Sequence, residues 1–551
     1  MSAAEARLAD QRPQPFLRVP PFPGSKVARF ELDANSPVAA EDPAELDRCI
    51  ALLKEHRVGG TYWGPQPALP QSYVLLRSVG GAETVSSIAD QHAPSVLWLP
   101  DGAALDGSIL VVTGECDPWH MLSRAVALVA EPQDQVAVIA SILGIPTYVI
   151  ERSPATITLD RRGTPERLQG LLPALLDPFD GGPLSLPRAI GLCAFWRRLV
   201  DSNRDLAGGL GFAFWKQSTV APLLWAGAAD IPFYRSVPQR SGGAALALWR
   251  AKAPPEAIKE AERRGLALVE VEDGFLRSSG LGADCVPPLS ITVDRLGAHF
   301  DPAQPSELEL LIEQGPLDDP DLLERARGLR RTIVAEGLGK YERATSRLPR
   351  PGGDRRHVLV PGQVEDDQSV RTGGCGLTSN LELLKRVRER EPDSYILYKP
   401  HPDVVAGHRA GHVPEAAGLA HADTIVADAP ISALLDMVDA VHVNTSLAGF
   451  EALLRDKEVT THGVPFYAGW GRTVDLGPVP SRRRARRTVD ELVAATLLLY
   501  PRYLDPVSGL PCPAETVVRR LCTGQEPKEG LLPAIRRMQG RLKRSVRVFV
   551  R

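Results

Sequence analysis

"AVHVNTSLAGFEALLRDKEVTTHGV", residues 440–464, changes its periodicity twice in twenty-five residues. AVHV is a short apolar run rich in β-branched residues. NTS is polar and turn-forming. The next stretch, LAGFEALLRDK, carries apolar residues at helical spacing, and EVTTHGV returns to a β-branched run. The segment therefore reads as strand, short polar turn, helix, strand. The same alternation continues on both sides. HVLVPG (357–362) reads as a strand, and SNLELLKRVRERE (379–391) as a helix with Ser379 and Glu382 in a capping-box pattern. YILYKPHP is a strand into a loop, and ISALLDMVD is a helix. Further upstream, PPEAIKEAERRG has proline near its start and Gly265 past its end, the punctuation of a helix, and LALVEV follows as a strand. Strand and helix alternating through short loops predict an α/β fold with parallel sheets covered by helices on both faces.

The N-terminal third carries the same signals. AELDRCIALLKEHR reads as a helix, SVLWLP and SILVVTG as strands. Residues 125–150, "AVALVAEPQDQVAVIASILGIPTYVI", repeat the opening pattern without its Asn-Thr-Ser. Five segments result: an irregular arm (1–45), an N-terminal α/β region (46–188), two α/β halves (189–350 and 351–510), and C-terminal helices with a basic tail (511–551). The Gly/Pro-rich stretch DPFDGGPLSLPR marks the boundary near 188.

At 551 residues more than one domain is expected. A net charge of −3 gives no general field for nucleic acid, so no nucleic-acid partner is expected. The seven cysteines show neither a CxxC pair nor zinc spacing, which argues for a reducing compartment and against a metal site. The N-terminus lacks the apolar core of a signal peptide, and no apolar run reaches membrane-span length. A cytoplasmic protein is expected. The last residues, LLPAIRRMQGRLKRSVRVFVR, interleave Arg536, Arg537, Arg541, Lys543, Arg544, Arg547 and Arg551 with apolar side chains. That pattern suits peripheral contact with an anionic inner-membrane face, or simply a solvated basic tail.

In open α/β sheets ligands bind beyond the C-terminal ends of strands, and four polar clusters stand at such ends. The first is Glu272-Asp273-Gly274. The second is PGQVEDDQSVRTGG (361–374), with Gln363, Asp366, Asp367 and Arg371, and with Gly362, Gly373 and Gly374 offering backbone N–H groups suited to an anion. It lacks the GK[ST] of a Walker loop. The third is YKPHPD (398–403), where Pro400 and Pro402 stiffen a loop presenting Lys399 and His401. The fourth is Asn444-Thr445-Ser446, with Thr445 or Ser446 able to cap a helix whose N-terminus suits phosphate. Glu451, inside that helix, could reach a ribose hydroxyl. Tyr467 and Trp470 in VPFYAGWG could pack a sugar or the core.

Taken together, EDGFLRSSGLG, PPLSITVDRLGAHFD, PGQVEDDQSVRTGG, YKPHPDVVAG, HVNTSLAGFEALLR and GVPFYAGWG, in this order, resemble the KpsC-type capsular polysaccharide β-Kdo transferases. The resemblance covers roughly residues 190–510, one catalytic module. It implies a GT-B fold of two Rossmann-like halves and a CMP-Kdo donor. It also implies transfer to a Kdo-terminated glycolipid or oligosaccharide with β stereochemistry, alongside capsule assembly proteins. The best-known family members carry two such modules. Here the region 46–188 lacks the motifs and reads as a degenerate half-module. Carried onto this chain, the motifs make Asp273, Glu272, Asp366 and Asp367 the catalytic carboxylate candidates. Arg277, Gln363, Arg371, Lys399, His401, Pro402, Asn444, Thr445, Ser446 and Glu451 become the donor-binding candidates. No metal or other cofactor is expected, because cations of the protein could neutralise one leaving phosphate. The competing readings are a transferase using another CMP-sugar such as sialic acid, a GT-B-like epimerase, and a non-catalytic glycan-binding scaffold.

Overall fold

Every residue of Tyr73–Leu76 (β1) is buried, the pattern of a strand covered on both faces by helices. The computed structural model describes residues 15–32, 42–77, 94–99, 110–131, 134–150, 157–159, 172–239, 244–276, 286–339, 348–407 and 409–525. They divide into two units. One runs to Asp205 and includes Leu224–Asp230. The other takes Leu206–Leu223 and the residues from Ile231 onward.

In the first unit β1 is joined by Ser95–Leu99 (β2), Leu110–Thr113 (β3), Ala125–Ala130 (β4), Thr147–Ile150 (β5) and Ile157–Leu159 (β6). The sheet order is β3-β2-β1-β4-β5-β6, parallel except for β5 with β6. This is the doubly wound order of nucleotide-binding folds. A short antiparallel pair, Leu175–Leu176 (β7) and Pro183–Leu184 (β8), leads into helix Leu186–Asp201. That helix is anchored by buried Arg197, which donates to Asp117 at 2.7 Å and to the Arg57 carbonyl at 2.6 Å. Such a desolvated pair persists only with its hydrogen bonds filled.

The second unit holds two sheets, of seven and six strands. The first contains Leu206–Leu210 (β9), Phe233–Tyr234 (β10), Ala245–Leu248 (β11), Ala267–Asp273 (β12) and Ser290–Asp294 (β13). The second contains His357–Pro361 (β14), Tyr395–Lys399 (β15), Thr424–Ile425 (β16), Ala440–Val443 (β17), Glu458–Thr461 (β18) and Val474–Asp475 (β19). Its order is β16-β15-β14-β17-β18-β19, parallel throughout. The chain then returns as Arg502–Leu504 (β20) and Pro511–Cys512 (β21) to complete the first sheet, β10-β9-β11-β12-β13-β20-β21. These two strands fall on either side of the sequence boundary at 510, and both belong with the half placed at 189–350.

The first sheet departs from the wholly parallel expectation. Strands β10, β9, β11 and β12 are parallel, but β13, β20 and β21 are antiparallel to their neighbours. The chain doubles back so that Glu270 to Asp273 pair with Asp294 to Ile291, and a strand that turns back on its neighbour must lie antiparallel to it.

The second sheet repeats the strand order of the first unit. The likeness between 125–150 and 440–464 thereby acquires a position. β4, helix Gln135–Leu143 and β5 hold the same fourth-to-fifth place as β17, helix Leu447–Leu453 and β18.

Charged contacts join the two halves of the second unit. Glu309, on helix Glu307–Gln314, is 6% exposed and accepts from both Arg482 and Arg483, the latter at 2.7 Å. Arg483 continues to the carbonyls of Pro465 and Ala468. Glu313 accepts the backbone N–H groups of Arg484 and Ala485 at 2.8 and 2.9 Å. Replacing Glu309 by Ala strands a buried guanidinium. Urea unfolding of Glu309→Ala should show a loss of about 3–5 kcal/mol. A loss below about 1 kcal/mol would mean that these contacts do not hold the halves together.

Candidate functional site

β14 and β17 are adjacent, and their onward connections leave in opposite directions. At such a switch point the loops part and leave a crevice at the strand ends. A pocket of about 550 Å³, open to solvent, lies there. It is lined by Gly362 after β14, by Lys399, His401 and Pro402 at the end of β15, and by Ser446 and Glu451 beyond β17. Five of the proposed donor-binding residues are thus brought together, from the ends of β15 and β17.

Lys399 is only 5% exposed, and its ammonium donates to the Ala427 carbonyl at 2.9 Å. His401 caps helix Pro402–Val405, its Nδ1 accepting the N–H of Asp403 at 3.1 Å. A neutral ring whose Nδ1 accepts carries its proton on Nε2, so Nε2 is the donor. Ser446 caps helix Leu447–Leu453, its Oγ accepting from Ala448 N at 3.2 Å. That helix has seven residues, and half-buried Glu451 lies one turn inside it.

Other expected residues have structural duties. Gln363 donates to Thr445 Oγ1 at 3.0 Å and accepts Thr445 N–H at 2.9 Å, tying the β14 loop to the β17 loop. Asn444 donates to the Leu377 carbonyl at 2.6 Å. The anion nest expected of the glycines does not form. Gly362 N–H goes to the Lys399 carbonyl and Gly374 N–H to that of Val370, at 2.8 and 3.0 Å. Asp366 and Asp367, 44% and 49% exposed, face Arg409 at 3.1 and 3.9 Å and do not line the pocket. Arg371, on helix Gln368–Gly373, is exposed. Tyr467 and Trp470 are both fully buried, bonded to the carbonyls of Ser446 and Phe466. They belong to the core, the second of the two roles the sequence left open for them. Arg277 and the basic segment 531–551 lie outside the described residues. Among the described residues, no helix is long and apolar enough to cross a membrane.

The acid pair lies on the last two residues of β12. Asp273 Oδ1 is 2.8 Å from Lys216 Nζ, and that ammonium lies 3.5 Å from the centre of the Trp249 ring. Gly274 answers to its strand neighbour, because a Cβ there would stand 2.2 Å from Ser290 Oγ. Phe275 follows, 4.9 Å from Phe466, whose ring is 5.4 Å from that of Phe450. His299 packs edge-on against Phe275 at 5.0 Å. One aromatic cluster therefore runs from the strand end bearing Asp273 to the helix bearing Glu451. Lys216 and His299 were not singled out from sequence. Yet Lys216 is the one charged residue of the apolar helix Phe214–Leu224, and His299 lies inside GAHFD.

A family model described as "Capsule polysaccharide biosynthesis protein" matches residues 244–343 and 341–503. The capsule polysaccharide modification protein LipA of Neisseria meningitidis serogroup A is 38% identical over 351 residues, which are 63% of this chain and 49% of LipA. The lipopolysaccharide-processing protein LpsZ of Rhizobium meliloti is 46% identical over 247 residues, 44% of this chain and 55% of LpsZ. Among solved structures, the KpsC β-Kdo 2,4 transferase of Thermosulfurimonas dismutans superposes with a TM-score of 0.51 at 32% identity. That match covers 58% of this chain and 98% of the KpsC chain. The chain belongs to the KpsC-type capsule polysaccharide Kdo transferase family. Its fold is the GT-B type of that family. It spans about half the length of the LipA proteins it matches.

The first unit differs from this KpsC-type module at the residue that caps the corresponding helix. Where Ser446 caps the helix after β17, Asp134 caps the helix after β4, accepting Val136 N–H at 2.9 Å. Its other oxygen binds Arg77 at 2.8 Å, and the Arg77 guanidinium lies 4.0 Å from the Trp98 ring centre. A carboxylate of the protein stands there at the helix N-terminus, and like charge opposes a second anion.

Beneath the Asn-Thr-Ser turn of the KpsC-type module, His442 Nδ1 lies 3.2 Å from His462 Nε2. Burial pushes both imidazoles down to about 4. Glu391 opposes this at His442, and Arg390 and Arg356 reinforce it. At His462, His442, Arg386 and Arg390 reinforce it. Both rings are neutral in the fold, whereas unfolded histidine binds a proton near pH 6.5. The unfolded state therefore gains protons as pH falls from about 7 toward 4, and stability falls with it. Urea titrations at pH 7 and 5 should differ on this account by on the order of 2 kcal/mol, and His462→Gln should flatten the dependence. An equal pH slope in wild type and variant would contradict the neutral pair.

Proposed function

We propose that this chain transfers Kdo from CMP-Kdo to a Kdo-terminated glycolipid or oligosaccharide during capsule polysaccharide assembly, with retention of the β configuration. The observation that carries the reading is the pocket at the switch point. It presents a buried ammonium, Lys399, and an imidazole N–H, His401, from one proline-stiffened loop. A CMP leaving group carries one phosphate, and two fixed donors suit the charge that develops on it. Glu451, on the same wall, accepts from a ribose hydroxyl in this arrangement.

The anomeric carbon becomes oxocarbenium-like as CMP departs, so a carboxylate nearby stabilises it. Its pairing with Lys216, and the aromatic cluster that runs from its strand end to the helix bearing Glu451, support Asp273 for that role. A β-donor giving a β-product calls for two displacements. In the first, Asp273 forms a bond to the anomeric carbon while CMP leaves with the bonding electrons. In the second, the acceptor oxygen displaces Asp273 and its proton passes to a base. Glu272, Asp366 and Asp367 remain the candidates for that second carboxylate. Charge neutralisation by Lys399, with a hydrogen bond from His401, makes a metal unnecessary in this scheme. The first unit, with Asp134 in its equivalent position, binds no donor in this reading and serves acceptor binding or architecture.

The test is CMP release from CMP-Kdo, with CMP-sialic acid as the competing donor and a Kdo-terminated oligosaccharide as acceptor. CMP-Kdo should be the substrate, and EDTA should leave the rate unchanged. Preference for CMP-sialic acid would replace the donor assignment, and EDTA inhibition reversed by Mg²⁺ would overturn the metal-free scheme. Asp273→Asn should lower kcat about a hundredfold or more. Lys399→Met should weaken CMP binding about tenfold or more, consistent with loss of one charge-assisted bond. Unchanged turnover in Asp273→Asn would remove that carboxylate from the chemistry.

A further inference from the structure

Phe214 is 70% exposed, the most exposed of the large apolar side chains among the described residues and the one aromatic in that group. An aromatic ring left in water is informative where it stands beside chemistry. Phe214 opens helix Phe214–Leu224, four residues after the end of β9. β9, β11 and β12 are parallel neighbours, so their C-terminal ends emerge on one edge of the sheet. From those ends come Trp215 and Lys216 after β9, Trp249 after β11, and Asp273 at the end of β12. The Lys216 ammonium links them, 5.2 Å from the Trp215 ring centre and 2.8 Å from Asp273 Oδ1. Trp249 is buried, whereas Trp215 is half-buried and Phe214 is open.

We propose that Phe214 and Trp215 form the platform on which the acceptor sugar lies, at the sheet edge that carries Asp273. The ligand class is a pyranose. Its C–H face is apolar and stacks on aromatic rings, while its hydroxyls stay available to polar neighbours. Gln217 and Ser218 follow on the same helix turn. The assignment rests on the glycosyl-transfer reading and adds the acceptor side to it. The donor groups lie on the second sheet and the platform on the first, so the two substrates are held by different halves of the second unit.

Binding of a Kdo-terminated oligosaccharide to the full chain, followed by intrinsic tryptophan fluorescence, tests the platform without relying on turnover. Phe214→Ala should weaken that binding about tenfold or more, Phe214→Tyr should restore it to within about threefold, and CMP binding should be the same in all three proteins. In turnover, Phe214→Ala should raise the acceptor KM and leave the donor KM unchanged. Equal oligosaccharide affinity in wild type and Phe214→Ala would overturn the platform, as would absence of oligosaccharide binding to wild type. So would a defect confined to vesicles of anionic phospholipid, because Phe214 would then be a membrane contact. Oligosaccharide binding that depends on Phe214 in a protein that does not turn over CMP-Kdo would overturn the transfer reading and leave the platform standing.

Discussion

The amide of Gln363 holds the second sheet open where it must be open. At the switch point β14 and β17 lie side by side while their loops part, and an untied gap there would have no fixed width. Gln363 binds Thr445 through both its donor and its acceptor, and Asn380 fixes the Gln363 backbone from below. Everything that faces the pocket is placed relative to that tie. Lys399 and His401 come from the next strand end, and Ser446 and Glu451 follow directly from Thr445. A side chain satisfied twice inside the protein is poorly available to a ligand. Its contribution to binding is the spacing it imposes, a supporting role that often decides how precisely a site is held.

A second constraint is electrostatic. The candidate nucleophile and the phosphate-binding donors stand on different sheets, and the chain connects those sheets by buried ion pairs and an aromatic cluster rather than by a shared strand. Glu309 with Arg482 and Arg483 supplies the former. Phe275, Phe466 and Phe450 supply the latter. Aromatic packing of this kind is directional, so the orientation of Asp273 with respect to Glu451 is set by rings that take no part in chemistry. The return of β20 and β21 to the first sheet adds a backbone connection to the same end.

Much of this was legible in the chain before any coordinates. The βαβ unit at 440–464 announced itself by a switch of period, and the strand ends at 361, 399 and 443 fell close to where the apolar runs stopped, while β12 runs two residues past LALVEV to include the acid pair. The motif order pointed to the KpsC-type family and a GT-B fold. Lys399, His401, Pro402, Ser446 and Glu451 do meet around one pocket. Other features were not legible, for identifiable reasons. Sequence marks Gln363 and Asn444 as polar residues at a strand end, but only geometry shows the Gln363 amide and the Asn444 amide nitrogen spent on the loops themselves. Glycine spacing resembled an anion nest at 362–374, whereas hydrogen bonds to Lys399 and Val370 already occupy two of those N–H groups. Lys216 is 57 residues from Asp273, and no local pattern pairs them. The antiparallel half of the first sheet depends on strands from residues 290–294 and 502–512, a pairing that periodicity does not encode.

The central claim is that the switch-point pocket seats the phosphate of a CMP-sugar. A crystal structure of the protein with CMP bound tests it most directly. The account predicts the phosphate within hydrogen-bonding distance of Lys399 Nζ and His401 Nε2, with the ribose toward Glu451 and no nucleotide beside Asp134. A phosphate that touches neither Lys399 nor His401, or a nucleotide seated in the first unit, would contradict it.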